Sequence, residues 1–219
     1  MQNSNRTALT KNKIATEKSM FKRLVNLSIA FMFILLSALN LSAHPHVFVD
    51  STVKFVFDEN GLAGAEVNWV FDEMFSSMII LDYDKNANQQ FEPAEITKVR
   101  QQVFANLRQF NYFMHIKIDG KSFAVNFVTE FSAAIIEGKV VYRFFVPCHV
   151  KASATFKELQ LSIYDNTFYS SVFLEKKSLK FKNWEAYEVR HSTSINRNNA
   201  YYYGQIYPEE INLRFKKKK

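Results

Sequence analysis

Two short stretches carry side chains whose types and spacing suit metal chemistry. In "AHPH", His44 and His46 flank Pro45. Neutral imidazole is a good donor to Zn, Ni, Co or Cu. A cut after Ala43 would give His44 a free α-amine beside its ring. Amine and ring can then chelate one ion, with His46 two residues on. Wrapping of nickel or copper by consecutive backbone amides is excluded, because Pro45 has no N–H to give up. A further donor has to come from elsewhere, and His115, His149, His191, Asp50, Asp72 and Asp165 are all open. The competing reading is a strand whose first two histidines simply face water.

The second stretch, "DKNANQQFEPAE", has the oxygen spacing of an EF-hand calcium loop. Asp84, Asn86, Asn88, Gln90, Glu92 and Glu95 fall at its first, third, fifth, seventh, ninth and twelfth positions. Phe91 stands at the eighth, where an apolar residue anchors such loops, and Pro93 suits the first turn of an exit helix. A register begun at Asp82 would put Pro93 at the twelfth position and fails. The departures weaken the site. Gln89 stands at the sixth position, where a sharp turn favours Gly, and two of the ligands are neutral amides. The expectation is a mainly architectural loop whose calcium affinity is at best roughly millimolar.

The chain ends set the context of both stretches. Lys11, Lys13, Lys18, Lys22 and Arg23 stand against Glu17 and precede the apolar run "LVNLSIAFMFILLSALNLSA". Charged region, apolar region and small residue before the cut are the order of a secretory signal peptide, expected over 1–43. Asn26, Ser28, Ser37 and Asn40 interrupt the run and weaken it as a permanent span. The expected location is therefore periplasmic; the alternative is a membrane anchor formed by an uncleaved N-terminal segment. Six of the 28 Lys/Arg and one of the 21 Asp/Glu lie in 1–43, so cleavage lowers the net charge from +7 to +2. Four of the remaining bases are Lys216 to Lys219. A basic nucleic-acid surface is thus not expected. The single Cys148 cannot form an internal disulfide, and its apolar neighbours suit a buried thiol.

Elements that would hold these residues are legible from periodicity. "VFVDSTVKFVF", the turn "DENGLAG" and "AEVNWVF" read as a β-hairpin. Asp72 suits the cap of a short helix with Met74, Phe75, Met78, Ile79 and Leu81 on its apolar side. Ile96, Val99, Val103, Phe104, Leu107 and Phe110 recur at helical spacing in a second, longer helix. From Tyr112 onward strand-like runs alternate with "DGK" and "EGK" turns. The fold class expected is mainly β, or α+β. It consists of an antiparallel sandwich-like domain over 44–195 with an EF-hand-like helix–loop–helix insert at about 72–111. Residues 196–219 are expected to form a loosely ordered basic tail.

"AHPHVFVD", "WVFDEMFSSMII", "DYDKNANQQFEPAEI", "FNYFMHIKIDG" and "LSIYDNTFY" follow one another in the order seen in the DUF1007 family, which the chain resembles from His44 to Glu175. The resemblance implies an exported component of an ABC-type or related transport system that partners membrane permeases of the nickel/cobalt/zinc type. The family's HPH start falls on His44, Pro45 and His46, and its acidic loop on Asp84, Asn86, Asn88 and Glu95. Together with the residues, this gives the expected function: a metal-binding accessory protein that binds or delivers Zn, Ni or Co. The alternative is a structural or interaction module of a transporter with no metal of its own. An enzyme is not expected, because no nucleophile–base pair, Gly-rich phosphate loop or HExxH helix is present. A copper brace built on His44 ranks last. No organic small-molecule substrate is expected.

Overall fold

Alternating burial along the first strand shows how the chain builds its frame. In β1, Val47–Phe57, the side chains of Val47, Val49, Val53, Phe55 and Phe57 are buried while Phe48 and Asp50 face outward. This is the period-two pattern of a strand with one covered face. The computed structural model describes residues 20, 22–29, 31–32, 45–175 and 179–218. The chain forms two compact units, Met1–Ala43 and His44–Lys219. In the first, residues 22–29, 31 and 32 are helical. No helix among the described residues is long and apolar enough to cross a membrane.

The second unit is a pair of mostly antiparallel sheets. β2, Gly61–Phe71, returns beside β1 with Val53 opposite Val67 and Val49 opposite Phe71. Its other edge pairs with β6, Lys139–Lys151, and β6 pairs with β5, Thr129–Ile136. The register of β2 and β6 shifts between Leu62 and Gly64. A Cβ on Gly64 would lie 2.2 Å from the Val146 carbonyl oxygen, so this bulge requires glycine for close backbone approach. The free edge of β1 is covered, unexpectedly, by parallel pairing to β8, Ser170–Leu174, and then to the short β9, Lys180–Lys182. The second sheet has the order β10 (Tyr187–Ile195), β11 (Glu209–Lys217), β7 (Lys157–Ile163), β3 (Met114–Ile118) and β4 (Lys121–Phe123). One hydrophobic core joins the sheets. Phe57 of the first packs edge-on to Phe215 of the second at 5.3 Å and against Tyr187 at 5.1 Å. The expected class, mainly β or α+β, is the one observed.

Three details correct the sequence reading. The supposed loose tail supplies β11, which runs between β10 and β7 and buries Ile211, Leu213 and Phe215. Lys216, read as part of a solvated end, instead pairs with Glu188 at 3.0 Å and lies over the Phe156 ring. Helix α1, Glu73–Tyr83, buries Ser76 and Ile79, while Met74, Met78 and Leu81 are 60, 55 and 78% exposed. Its packing face is chosen by Ser76 Oγ, which accepts a hydrogen bond from the Val140 amide of β6 at 2.9 Å. Finally, the second helix is not continuous. α2 spans Pro93–Gln102, and a 3-10 stretch follows over Phe104–Phe113. Asn111 and Tyr112 adopt left-handed dihedrals there, and Asn111 fixes the bend by accepting from the Val125 amide and donating to the Met114 carbonyl.

Candidate functional site

The histidine stretch lies where the second unit starts. His44 falls outside the described residues. His46 donates its backbone N–H to the Tyr169 carbonyl at 2.9 Å, and its ring lies 5.0 Å from the Tyr169 ring at a tilt of 45°. Two of the acids considered as further donors hold the backbone instead. Asp72 caps α1, accepting from the Phe75 amide at 2.9 Å, and its second oxygen accepts from the Phe48 amide of β1 at 2.7 Å. Asp165 is buried and accepts from the Thr167 amide, the Thr167 hydroxyl and the Ser170 amide. Asp50 is exposed on β1.

The other histidines are dispersed. His115 stacks on Tyr164 with ring centroids 3.7 Å apart, and its Nε2 lies 3.1 Å from the Tyr164 carbonyl oxygen. Burial holds its imidazole below the usual pKa, against the pull of that carbonyl, so the ring favours its neutral form. His149 is exposed on β6, beside the buried Cys148, whose thiol burial pushes up to about 12. That thiol is inert, as a core cysteine should be. His191 lies against Phe181 on the second sheet. Among the described residues, no group of three or more His, Cys, Asp or Glu side chains is placed to hold a metal ion.

The acidic loop is drawn together, largely by its own backbone. Asp84 accepts from the Asn88 amide with Oδ1 and from the Gln89 amide with Oδ2, at 3.1 and 2.9 Å. Asn86 and Asn88 each accept from the amide two residues on, at 3.1 and 2.9 Å, the second of these amides being that of Gln90. Gln89 itself takes φ +62°, the left-handed conformation that glycine would adopt without a Cβ penalty. Glu95 spans the loop, accepting from Lys85 with Oε1 and from Glu92 with Oε2. Glu92 accepts from the side-chain amides of Asn86 and Asn88 at 3.0 and 2.6 Å. Its contact with Glu95, then those two amides, lowers its pKa from 4.5 to about 2. Pro93 opens α2, as its position suggested.

A further feature has no signature in local sequence. Between the first sheet and the 3-10 stretch is a cavity of about 390 Å³. Val49, Trp69, Phe71, Phe113 and Tyr142 wall it, the half-buried Val103 and Leu107 flank it on the helical side, and Asp165 and Tyr169 contribute polar groups. Trp69 and Tyr142 are each about 1% exposed and stand directly opposite each other on β2 and β6. Among the described residues, the Trp69 indole N–H and the Tyr142 hydroxyl have no hydrogen-bond partner. Tyr169, against which His46 packs, belongs to the same wall. These residues could not be grouped from sequence, because the pairing of β2 with β6 joins distant segments.

Comparison with known proteins agrees with the order of motifs. An uncharacterised 15.5 kDa protein from the trpE 3′ region of Spirochaeta aurantia is 32% identical over 135 residues, covering 59% of this chain and 93% of that protein. An uncharacterised protein of Haemophilus influenzae is 26% identical over 139 residues, covering 62% of this chain and 65% of its own length. The family described as "Protein of unknown function (DUF1007)" matches residues 29–199, which include the histidine stretch, the acidic loop and the cavity walls, and the chain belongs to it.

Proposed function

We propose that the chain is an exported metal-binding accessory protein of a transition-metal transport system, which holds Zn, Ni or Co through the α-amine and ring of His44 and the ring of His46. The observation that supports this reading is where the fold starts. The second compact unit runs from His44, and His46 is already pinned to Tyr169 by a backbone hydrogen bond of 2.9 Å. A cut after Ala43 would therefore leave the new amine at the edge of a folded domain rather than on a long tail. Chelation by an amine and adjacent imidazoles needs that limited freedom, because each donor must be ordered before it binds. The remaining coordination position would be filled by water or by a donor of a membrane permease, which suits delivery more than storage.

N-terminal sequencing and intact mass of the exported protein, followed by Zn²⁺ and Ni²⁺ titration, test this directly. The expected result is a free His44 and one ion bound per chain, with binding lost in His44→Ala/His46→Ala. A retained leader, or equal binding by parent and variant, overturns it.

A second reading, an interaction module without a metal of its own, is favoured by one specific feature. Met74, Met78 and Leu81 lie at successive helical turns on the solvent side of α1. Such an apolar stripe suits packing against another helix. Loss of permease association in Met78→Glu, with metal binding intact, would place this reading first. The Asp84–Glu95 loop is proposed to have a secondary role as a weak calcium site that braces α1 against α2.

A further inference from the structure

The outer face of the second sheet gathers polar groups that the metal reading leaves unused, and they point beyond the sequence expectation of no organic ligand. A cavity of about 420 Å³ lies there, within the roughly 300–1,000 Å³ of small-molecule sites. His115 of β3, Asn199 and Glu210 of β11 line it, all half-buried, together with the exposed Lys117. Strand alternation puts them on this face. Met114, Ile116 and Ile211 are buried in the core, so their neighbours His115 and Glu210 project from the other side of the sheet. The Tyr164 side chain ties the group together. His115 stacks on its ring at 3.7 Å, and Asn199 Nδ2 donates to its hydroxyl at 2.8 Å. Burial and the negative charge of Glu210 raise the pKa of that hydroxyl against the pull of Asn199, so Glu210 is near enough to be felt there.

The positions these three side chains leave open are all acceptors. The Tyr164 carbonyl can only accept, so its 3.1 Å contact with His115 Nε2 requires a proton on that nitrogen and leaves Nδ1 of the neutral ring as a lone pair. Nδ1 has no partner among the described residues, and unlike the Ser162 hydroxyl opposite it on β7 it is not closed off from solvent. Asn199 gives its Nδ2 to Tyr164 and offers Oδ1. Glu210 receives Asn196 with Oε2 at 2.7 Å and offers Oε1. An imidazole lone pair, an amide oxygen and a carboxylate oxygen are matched by a primary ammonium, which brings three N–H donors and a positive charge. An anion would be repelled by Glu210, and an alcohol would bring a single donor. We infer that this cavity binds a small organic molecule through its primary ammonium group, received by His115 Nδ1, Asn199 Oδ1 and Glu210 Oε1. Phe123 of β4 supplies an apolar wall for the rest of the molecule, and Lys117 disfavours a second positive charge on it.

Amide chemical shifts of the isotope-labelled full chain, followed through a titration with EDTA present, test the assignment. The probes are n-butylammonium, n-butyltrimethylammonium, which has the same charge but no N–H, and n-butanol. n-Butylammonium should give saturable shifts at His115, Asn199 and Glu210 and bind about tenfold more tightly than either of the others. Glu210→Gln should weaken it about tenfold, the loss of one charge-assisted hydrogen bond. His115→Phe, which keeps a ring against Tyr164 but has no lone pair, should weaken it about fivefold. Equal affinity for the primary and the trimethylated ammonium, or variants that both bind as the parent does, overturns the inference. So does the absence of saturable shifts with any probe. Because metal is chelated throughout, these results are independent of the His44 and His46 experiment.

Discussion

The loop from Asp84 to Glu95 and the wall formed by Trp69 and Tyr142 treat polar groups in opposite ways. In the loop, Asp84 and Glu95 each use both carboxylate oxygens to receive backbone N–H groups, and Glu92 gathers two side-chain amides. On the wall, two donors are buried at about 1% exposure and meet no acceptor among the described residues. Asp84 and Glu95 are themselves buried, at 6 and 8% exposure, and the loop meets that burial by closing on itself. The two groups on the wall are shut away from water without a partner among the described residues. A region that satisfies its own polar groups is held by hydrogen bonds, and one that does not is held by packing alone.

The largest effect expected is on the wall as packing. Trp69→Ala removes a side chain that contacts Phe71, Phe113 and Phe144, and should lower stability by about 3–5 kcal/mol in a urea titration. A loss under about 1 kcal/mol would mean that the cavity already leaves Trp69 loosely packed. Next comes Asp84→Ala, which strips two loop amides of their acceptor and should cost about 2 kcal/mol. It should also remove any rise in melting temperature caused by millimolar calcium. An unchanged calcium response would separate the loop's shape from its proposed ion.

Acid should probe the same closure. The folded Glu92 titrates near 2 and the unfolded one near 4.5, so the unfolded chain takes up the proton first. The stabilisation is present above about pH 4.5 and is lost as pH falls toward about 2. A melting-temperature profile that is flatter over this window in Glu92→Gln would locate the effect in the loop. The smallest effect belongs to the wall again. Tyr142→Phe removes a hydroxyl that has no partner among the described residues, so stability should change by less than about 1 kcal/mol in either direction. A larger loss would reveal a partner for that hydroxyl and undo the contrast.

Much of the frame was legible because it depends on neighbours in sequence. The period-two burial of β1, the Asp72 cap and Pro93 at the start of α2 each involve residues only a few positions apart. Cys148 was likewise read as a buried thiol from its apolar neighbours, and it is buried. The α2 pattern was overread at its end. Apolar spacing continues through Leu107 and Phe110, but Asn111 finds better partners in Met114 and Val125 than a helix would supply. The outward face of α1 was also misjudged, since five apolar side chains on one short helix do not say which of them a sheet will cover.

The sequence by itself determined the hairpin of β1 and β2, the Asp72 cap of α1, Pro93 at the start of α2 and the position of the histidine stretch before the first strand. Tertiary structure alone decided that Glu209–Lys217 would become an inner strand of the second sheet, that Ser76 would face β6, and that Trp69 and Tyr142 would stand side by side. The physical reason is the range of the interactions. Local choices are settled by backbone dihedrals and hydrogen bonds within a few residues. Sheet pairing is settled by which apolar faces can be buried together, a competition among all the strands at once that no single segment records.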